Sequence, residues 1–177
     1  VIGLIGVAGA GGLLLTQGYR MERITVWLDP AASEKGHQTI QGLYAIGSGG
    51  LFGKGLGQSM QKLGFLPEAN NDMIFSVICE ELGLFGALCV LALFFALIWR
   101  FMVIAVNAPD LYGSMIVVGV IAHIGIQVFI NIAVATNTIP NTGIPLPFIS
   151  YGGSSLVFML LEMGLVLSVS RYINVKK

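Results

Sequence analysis

Four apolar runs divide the chain, and the segments between them are polar or rich in proline and glycine. About 20 apolar residues cross the hydrocarbon core of a bilayer as a helix, so the second and third runs are predicted to be complete spans. The last run is shorter, and the residues before it are expected to supply part of its crossing. The pattern predicts one transmembrane domain, 1–177, with these parts: a helix end at 1–17, an extracellular loop at 18–71, helices at 72–99 and 113–133, an extracellular or re-entrant segment at 134–153, a helix at 154–170 and a cytoplasmic tail at 171–177.

Composition supports a membrane protein. Hydrophobic residues make up 55% of the chain and charged residues only 10%, with a mean hydropathy of +0.85. A soluble domain carries about 25% charged residues. The formal net charge is zero, which argues against a nucleic-acid partner. The predicted fold class is therefore all-α, a polytopic transmembrane helix bundle with a long extracellular loop and a broken, re-entrant segment.

Charge in the short loops predicts the orientation. The tail carries Arg171, Lys176 and Lys177, which places it in the cytoplasm and the loop 18–71 outside. That loop nevertheless holds five of the nine basic residues: Arg20, Arg23, Lys35, Lys54 and Lys62. These cations either solvate a long loop or meet an anionic substrate at the outer membrane surface. The loop also contains an amphipathic stretch, whose apolar residues are predicted to face the bilayer or the bundle: Ile40, Leu43, Tyr44, Ile46 and Leu51.

The segment 134–153 is predicted to be irregular. Pro140, Pro145 and Pro147 forbid a regular helix. Irregular backbone at membrane depth survives only where it is buried in protein or lines a cavity. We therefore expect this segment to form one wall of a site, with Ser150 and Ser154 as candidate substrate-binding residues.

Polar residues inside the predicted spans should face the interior. His123, Gln127 and Asn131 are spaced to form one stripe along a helix. They are predicted either to join helices by hydrogen bonds or to form a proton path. The carboxylates Glu80, Glu81 and Glu162 are likewise expected to be interior structural residues.

Asp72 is the candidate for chemistry. It stands where the polar turn with Glu68 changes into an apolar run. Because aspartate is a favoured N-cap residue, one interpretation is purely structural. The other is a general base at the membrane surface, with Glu68 and the loop cations binding the substrate. No complete set of metal ligands is evident.

Two long motifs resemble those of the FtsW/RodA/SpoVE family, the SEDS proteins of bacterial cell-wall synthesis. They are AIGSGGLFGKGLGQSMQKLGFLPEANNDMIFSVICEELG and PLPFISYGGSS. Their amino-acid sequences most resemble those of FtsW or SpoVE of Gram-positive bacteria. The resemblance implies the C-terminal part of a ten-helix protein of the plasma membrane. It also implies a glycosyltransferase that polymerises lipid II with inversion during cell division or sporulation, with Asp72 as its catalytic acid–base residue.

The same resemblance implies the partners of the reaction. A class B penicillin-binding protein would crosslink the glycan strands, and other division or elongation proteins would join them. Arg20, Arg23, Lys54 and Lys62 would bind the pyrophosphate of the leaving group, and a divalent cation, Mg or Mn, could share that task.

Two alternatives stay open from the sequence. A transporter of lipid-linked precursor also has broken helices and buried acids near mid-membrane. Essential acids at depth would favour transport, whereas an essential acid at the outer interface would favour chemistry. The other alternative is a structural partner that only positions a penicillin-binding protein.

Overall fold

The computed structural model describes residues 18–32, 36–60 and 71–173, and within them all regular structure is helical. The all-α fold class is therefore confirmed. The predicted helix end at 1–17 lies outside the described residues. The elements in chain order are α1 (Gly18–Leu28), a 3₁₀ turn (Pro30–Ala32), α2 (His37–Gly49), α3 (Ile74–Val106), α4 (Leu111–Ala135) and α5 (Gly153–Arg171).

Three helices, α3, α4 and α5, are long and apolar enough to cross a membrane, with mean hydropathies of 2.6, 2.2 and 1.7 in their most apolar windows. The chain is therefore a helical membrane protein. The observed α3 ends at Val106, beyond the predicted end at residue 99, and Arg100 is one of its residues. α4 begins where the side chain of Asp110 accepts a hydrogen bond from the amide of Gly113 at 3.0 Å, a standard N-cap.

The core lies where α4 packs between α3 and α5. One side of α4 buries Val117, Val120, Ile124 and Val128 at helical spacing. These residues belong to one cluster with aromatic side chains of α3 and aliphatic side chains of α5. α4 is therefore the central helix of this part of the bundle.

α3 is not one continuous helix, although the sequence predicted an unbroken apolar run. Gly83 has φ 68° and ψ −165°, a conformation that is essentially restricted to glycine. A Cβ atom at Gly83 would overlap the amide of Gly53 and the carbonyl of Leu51. The loop after α2 thus approaches the helix so closely that no side chain fits at the break.

The break is stabilised by an exchange of backbone hydrogen bonds. The amides of Leu84 and Phe85 donate to the carbonyls of residues 50 and 51, at 3.0 and 3.2 Å. In return, the amides of Lys54 and Gly55 donate to the carbonyls of residues 80 and 81, at 2.9 and 3.0 Å. The loop therefore pairs the backbone amides and carbonyls that the interrupted helix leaves without partners. Unpaired backbone groups are costly in a membrane protein.

Two hydrogen bonds show that the break must also redirect α3. Asn131 of α4 bonds the carbonyl of Asp72, and Ser114 of α4 bonds the carbonyl of Ala105. Between these points α4 rises about 26 Å, whereas a straight α3 would rise about 50 Å. The part from Leu84 to Val106 alone rises about 34 Å, enough for a core of about 30 Å. The first part of α3 must therefore turn away from the direction of the rest.

The predicted loop 18–71 is largely helical where it is described. The buried side of α2 consists of small residues, namely Thr39, Gly42, Ala45 and Gly49. Gly42 lies against Met73 and Ser76 at the start of α3. Of the predicted apolar face, Ile40 and Ile46 are partly buried, whereas Leu43, Tyr44 and Leu51 are exposed. The side of α2 that packs on the bundle is thus the one with small residues, because close approach favours small residues over large apolar ones, and the exposed large residues are compatible with the predicted alternative of a bilayer-facing side.

Candidate functional site

Asp72 lies directly before α3 and is only 8% exposed. The N-cap residue of α3 is Met73, whose side chain makes no capping hydrogen bond. Met73 is instead buried with Val77 and Val134 in a small apolar cluster. This cluster connects the turn before α3 to the end of α4, so packing fixes the position of Asp72. The N-cap residue is Met73, and Asp72 does not occupy that position.

Asn131 fastens this turn to the segment after α4. Its Nδ2 donates to the carbonyl of Asp72 at 2.8 Å and to the carbonyl of Ile144 at 2.9 Å. Asn131 is 1% exposed, and its hydrogen bond to Asp72 is buried, whereas the one to Ile144 is partly buried. A single side chain therefore joins three segments: the turn at Asp72, α4 and the segment 134–153.

Ser150 makes a second connection to the same turn. Its hydroxyl donates to the carbonyl of Asn71 at 2.6 Å and accepts from the amide of Leu146 at 2.7 Å. Gly143 of the same segment faces the carboxylate, because a Cβ atom there would lie 4.0 Å from Oδ2 of Asp72. Gly143 has φ 71°, a conformation that favours glycine, so the chain approaches Asp72 where a side chain would be disfavoured.

The segment 134–153 forms the wall of a cleft, as its proline and glycine pattern predicted. The cleft measures about 340 Å³ and is lined by Ile74, Ile149, Ser150, Tyr151, Gly152, Gly153 and Leu156. Phe148 has φ 63°, which is uncommon for a residue with a side chain. Strained backbone of this kind clusters at functional sites.

A second, more apolar cleft of about 290 Å³ lies next to the first. Its lining residues are Val90, Leu93, Phe94, Leu97, Phe148 and Ile149. Ile149 therefore belongs to both clefts. The pair of clefts passes from the start of α5 to the apolar side of α3, an arrangement that suits an amphiphilic molecule.

The predicted substrate-binding cations have partners within the protein where they are described. Nη1 of Arg23 donates to the carbonyl of Asn141 at 2.6 Å. The neighbouring Trp27 donates from Nε1 to the carbonyl of Asn137 at 2.9 Å. Together they hold α1 on the segment 134–153. The Arg20 side chain, Lys62 and Glu68 lie outside the described residues, and Ser154 is exposed and is not a lining residue of the cleft.

Glu80 is the centre of a buried charge cluster that the sequence did not predict in full. The side chain is 0% exposed, and its Oε1 lies 2.6 Å from Nζ of Lys54. Ser59 donates to Oε2 at 2.5 Å, and Ser48 donates to Oε1 at 3.4 Å. The only signal in the sequence was that a buried acid needs a partner. Nothing in the spacing identified Lys54, because 26 residues separate the two.

The predicted polar stripe on α4 is divided between two roles. Nδ1 of His123 lies 2.7 Å from Oε1 of Glu162 on α5, and Gln127 lies 2.9 Å from the other ring nitrogen of His123. Asn131 instead bonds the turn at Asp72. His123 and Asn131 thus connect α4 to other segments, as the hydrogen-bond interpretation expects, whereas Gln127 bonds His123 within α4. Glu81 is partly buried, and its Oε1 has no hydrogen-bond partner among the described residues.

No group of three or more His, Cys, Asp or Glu side chains that could hold a metal ion occurs in residues 18–32, 36–60 and 71–173. The divalent cation implied by resemblance thus stays a prediction, without ligands in the described part of the chain.

Comparison with protein families gives one match over nearly the whole chain. A family model described as "Cell cycle protein", for FtsW, RodA and SpoVE, matches residues 1–175. Stage V sporulation protein E of Bacillus subtilis is 56% identical over 175 residues, which are 97% of this chain and 47% of the relative. The probable peptidoglycan glycosyltransferase FtsW of the same organism is 46% identical over 163 residues, which are 91% of this chain and 40% of the relative.

Solved structures give the same result. A structure described as "Structural coordination of polymerization and crosslinking by a peptidoglycan synthase complex" superposes with a TM-score of 0.72 at 29% identity, over 99% of this chain and 49% of that chain. The rod shape determining protein RodA of Thermus thermophilus superposes with a TM-score of 0.57 at 38% identity, over 75% of this chain and 39% of that chain. The chain thus spans about half the length of the relatives it matches.

Proposed function

Because the chain belongs to the FtsW/RodA/SpoVE family, we propose that the whole protein is a peptidoglycan glycosyltransferase. Its substrate is lipid II, and its product is a glycan strand made during cell division or sporulation. Asp72 is its general base. Relatives named as probable peptidoglycan glycosyltransferases support this assignment.

The observation that carries the proposal is the placement of Asp72. It is a buried carboxylate in a turn that Asn131 and Ser150 fasten to the irregular segment 134–153. The backbone of this turn is held by surrounding structure and is next to the cleft-lining residues Ile74 and Ser150, which fits the requirement that a general base be held in position before the reaction.

In the proposed reaction, Asp72 takes the proton from the attacking hydroxyl of the acceptor sugar. The hydroxyl oxygen forms a bond to the anomeric carbon of the donor with inversion. The bond from that carbon to the undecaprenyl pyrophosphate breaks, and the electron pair leaves with the pyrophosphate. Lys62 and Arg20 remain candidates to bind this charge, whereas Arg23 and Lys54 contact groups of the protein itself.

The two clefts support a lipid-linked substrate. The cleft at Ser150 and Tyr151 has polar lining groups, and the neighbouring cleft is lined by aliphatic and aromatic side chains of α3. In the proposal, the pyrophosphate end lies in the first and the start of the isoprenoid chain in the second. Ile149 lines both, so it would lie where the head group meets the chain.

The partner and orientation complete the proposal. A class B penicillin-binding protein would crosslink the strands, as the synthase complex among the similar structures suggests by its description. The C-terminus would be cytoplasmic, since Arg171 lies in the last turn of α5 and cytoplasmic ends are enriched in basic residues. Asp72 would then lie at the outer membrane surface.

A lipid transporter is the second candidate. The observation in its favour is the hydrogen-bonded pair of His123 and Glu162, which lies near the middle of α4 and α5. In a transporter, replacing Glu162 by glutamine would abolish translocation of the lipid in reconstituted vesicles. In a polymerase, the same change would leave glycan synthesis largely intact, because Glu162 bonds His123, His123 bonds Gln127, and neither contact is with the turn at Asp72.

The test is polymerisation of purified lipid II by the full-length protein together with its penicillin-binding partner. Asp72→Asn should reduce the rate by about 100-fold or more, since general-base catalysis contributes about 10²–10⁴-fold. Asp110→Asn is the matched control. Asp110 caps the N-terminal end of α4, away from the turn at Asp72, and asparagine is also a good N-cap residue. Normal polymerisation by a folded Asp72→Asn protein would refute the assignment.

A further inference from the structure

The Glu80 cluster lies at one end of the first part of α3, and Asp72 lies at the other. The break at Gly83 means that the long part of α3 does not continue into this first part. The direction of residues 74–82 therefore depends on the packing of their own buried side chains and on what holds their two ends. Asn131 and Ser150 hold the end at Asp72, and the loop 49–60 holds the end at Glu80.

The second attachment consists of two layers of contacts. The exchanged backbone bonds join residues 50–55 to residues 80–85. The side chain of Glu80 then binds Lys54 and Ser59 of the same loop. The carboxylate of Glu80 is completely buried. Separating it from Lys54 would leave an uncompensated buried charge, which is strongly unfavourable. The ion pair thus locks the loop against the end of the segment.

We propose that the ion pair of Lys54 and Glu80 positions Asp72 for the reaction. Glu80 lies about 9 Å of helical rise from Ile74, the first residue of α3, and Asp72 lies in the turn two residues before Ile74. A helical segment of this length is stiff, so a change of direction at the Glu80 end displaces the Asp72 end. A misplacement of about 1 Å at a reacting group can cost about 100-fold in rate. Lys54 and Glu80 are thus positioning residues that act through the segment without touching the substrate.

This inference rests on the proposed function of Asp72. It also assigns Lys54 a role different from binding the leaving group. Its ammonium lies 2.6 Å from the buried carboxylate, although the side chain is 36% exposed. If Lys54 served the pyrophosphate directly, its loss would weaken substrate binding. If it positions Asp72, its loss lowers the turnover number and leaves the affinity for lipid II unchanged.

The test compares Lys54→Met with the double variant Lys54→Met/Glu80→Gln in the full-length protein with its partner. The single variant leaves a buried charge without its cation, so we expect a lower unfolding temperature. The double variant removes both charges and should regain most of that stability. Its kcat on lipid II should nevertheless stay about tenfold or more below that of the parent protein, with KM unchanged. Glu81→Gln, the same change at the next residue, is the matched control and should behave as the parent.

Hydrogen–deuterium exchange gives a readout that does not depend on catalysis. In the double variant, the amides of residues 71–76 should exchange faster than in the parent, even though stability has returned. A double variant with parental kcat and parental exchange at residues 71–76 would overturn the proposal. So would a raised KM with unchanged kcat, which would make Lys54 a substrate-binding residue.

The two proposals can fail separately. If the parent protein forms no polymer, the glycosyltransferase assignment fails, and the exchange measurement still decides whether the ion pair controls the position of Asp72. If Asp72→Asn abolishes polymerisation but the double variant is indistinguishable from the parent, the assignment of Asp72 stands and the positioning role is wrong.

Discussion

Asp72 and Glu80 are both buried carboxylates at the two ends of one short helical segment, but their surroundings differ. Around Glu80, a lysine ammonium and two hydroxyls approach the carboxylate itself, which is 0% exposed. Around Asp72, the side chains of Asn131 and Ser150 bind the main-chain carbonyls of residues 71 and 72, and the carboxylate faces Gly143.

The difference separates a structural acid from a candidate catalytic one. A carboxylate that is paired with a cation inside the protein stabilises the arrangement of its neighbours. A carboxylate whose backbone is fastened on both sides, next to a cleft, is held in place for chemistry. Burial alone would not distinguish the two.

The same comparison changes how depth can be used to separate an enzyme from a transporter. If a continuous helix led inward from Asp72, we would expect Glu80 to lie about two turns deeper in the membrane. That expectation assumed a straight α3, and the break at Gly83 removes the assumption. Since the part from Leu84 to Val106 is long enough to cross the membrane alone, Glu80 is expected near the outer boundary. The pair of His123 and Glu162 is then the better probe of transport.

The largest loss of stability is expected from Gly83→Ala. The new Cβ atom would overlap the backbone of the loop, and the residue would need a conformation that is essentially restricted to glycine. We expect a loss of more than about 3 kcal/mol, measured by thermal unfolding in detergent. Gly119→Ala is the control, because no atom lies within 4 Å of a Cβ atom at that position. Equal stability of the two variants would mean that the break is not needed.

A smaller loss is expected from Asn131→Leu, which removes the donor to two carbonyls on the Asp72 side. Leaving buried acceptors unsatisfied costs about 1–3 kcal/mol, and we expect about 2 kcal/mol here. Polymerisation should fall as well, because the turn at Asp72 is released. Asn107→Leu is the control, since Asn107 also bonds a carbonyl but is exposed at the other end of α3. Unchanged polymerisation by a destabilised Asn131→Leu protein would show that the hydrogen bonds of Asn131 to the turn at Asp72 are not needed for catalysis.

The smallest loss is expected from Ser59→Ala on the Glu80 side. The hydroxyl of Ser59 is buried and donates to the carboxylate at 2.5 Å. A hydrogen bond to a charged group contributes about 1.5–3 kcal/mol, and Lys54 retains the charge compensation, so the lower end is expected. Ser48→Ala should cost less, because that contact is longer at 3.4 Å. Chemical denaturation of both variants would rank them, and the reverse order would show that the distances do not reflect the strengths.

Much of the fold could be predicted from the sequence because the membrane imposes a simple pattern. Long apolar runs specify spans, and prolines such as Pro145 and Pro147 specify an irregular segment. The break at Gly83 could not be predicted, because it depends on a loop that approaches from about 30 residues away. One glycine in an apolar run carries no sign of that approach.

The sequence identified Asp72 as the candidate catalytic residue, but it did not identify the side chains that hold the turn at Asp72. Asp72 could be chosen because it stands at the start of an apolar run beside a family motif. That Arg23, Lys54 and Ser150 contact a substrate stays a prediction, and the structure shows that each of them also binds another segment of the chain. Spacing along the chain cannot distinguish these uses, because cations and hydroxyls suit carbonyls, carboxylates and phosphates equally well.

The most direct measurement neutralises both acids in parallel and records stability and lipid II polymerisation in the same preparations. Asp72→Asn should unfold at nearly the parental temperature and form no detectable glycan. Glu80→Gln should unfold at a lower temperature, because Lys54 loses its buried carboxylate, and should retain part of its activity. Parental polymerisation by Asp72→Asn, beside complete loss in a stable Glu80→Gln protein, would contradict the assignment and make Glu80 the acid that matters for the reaction.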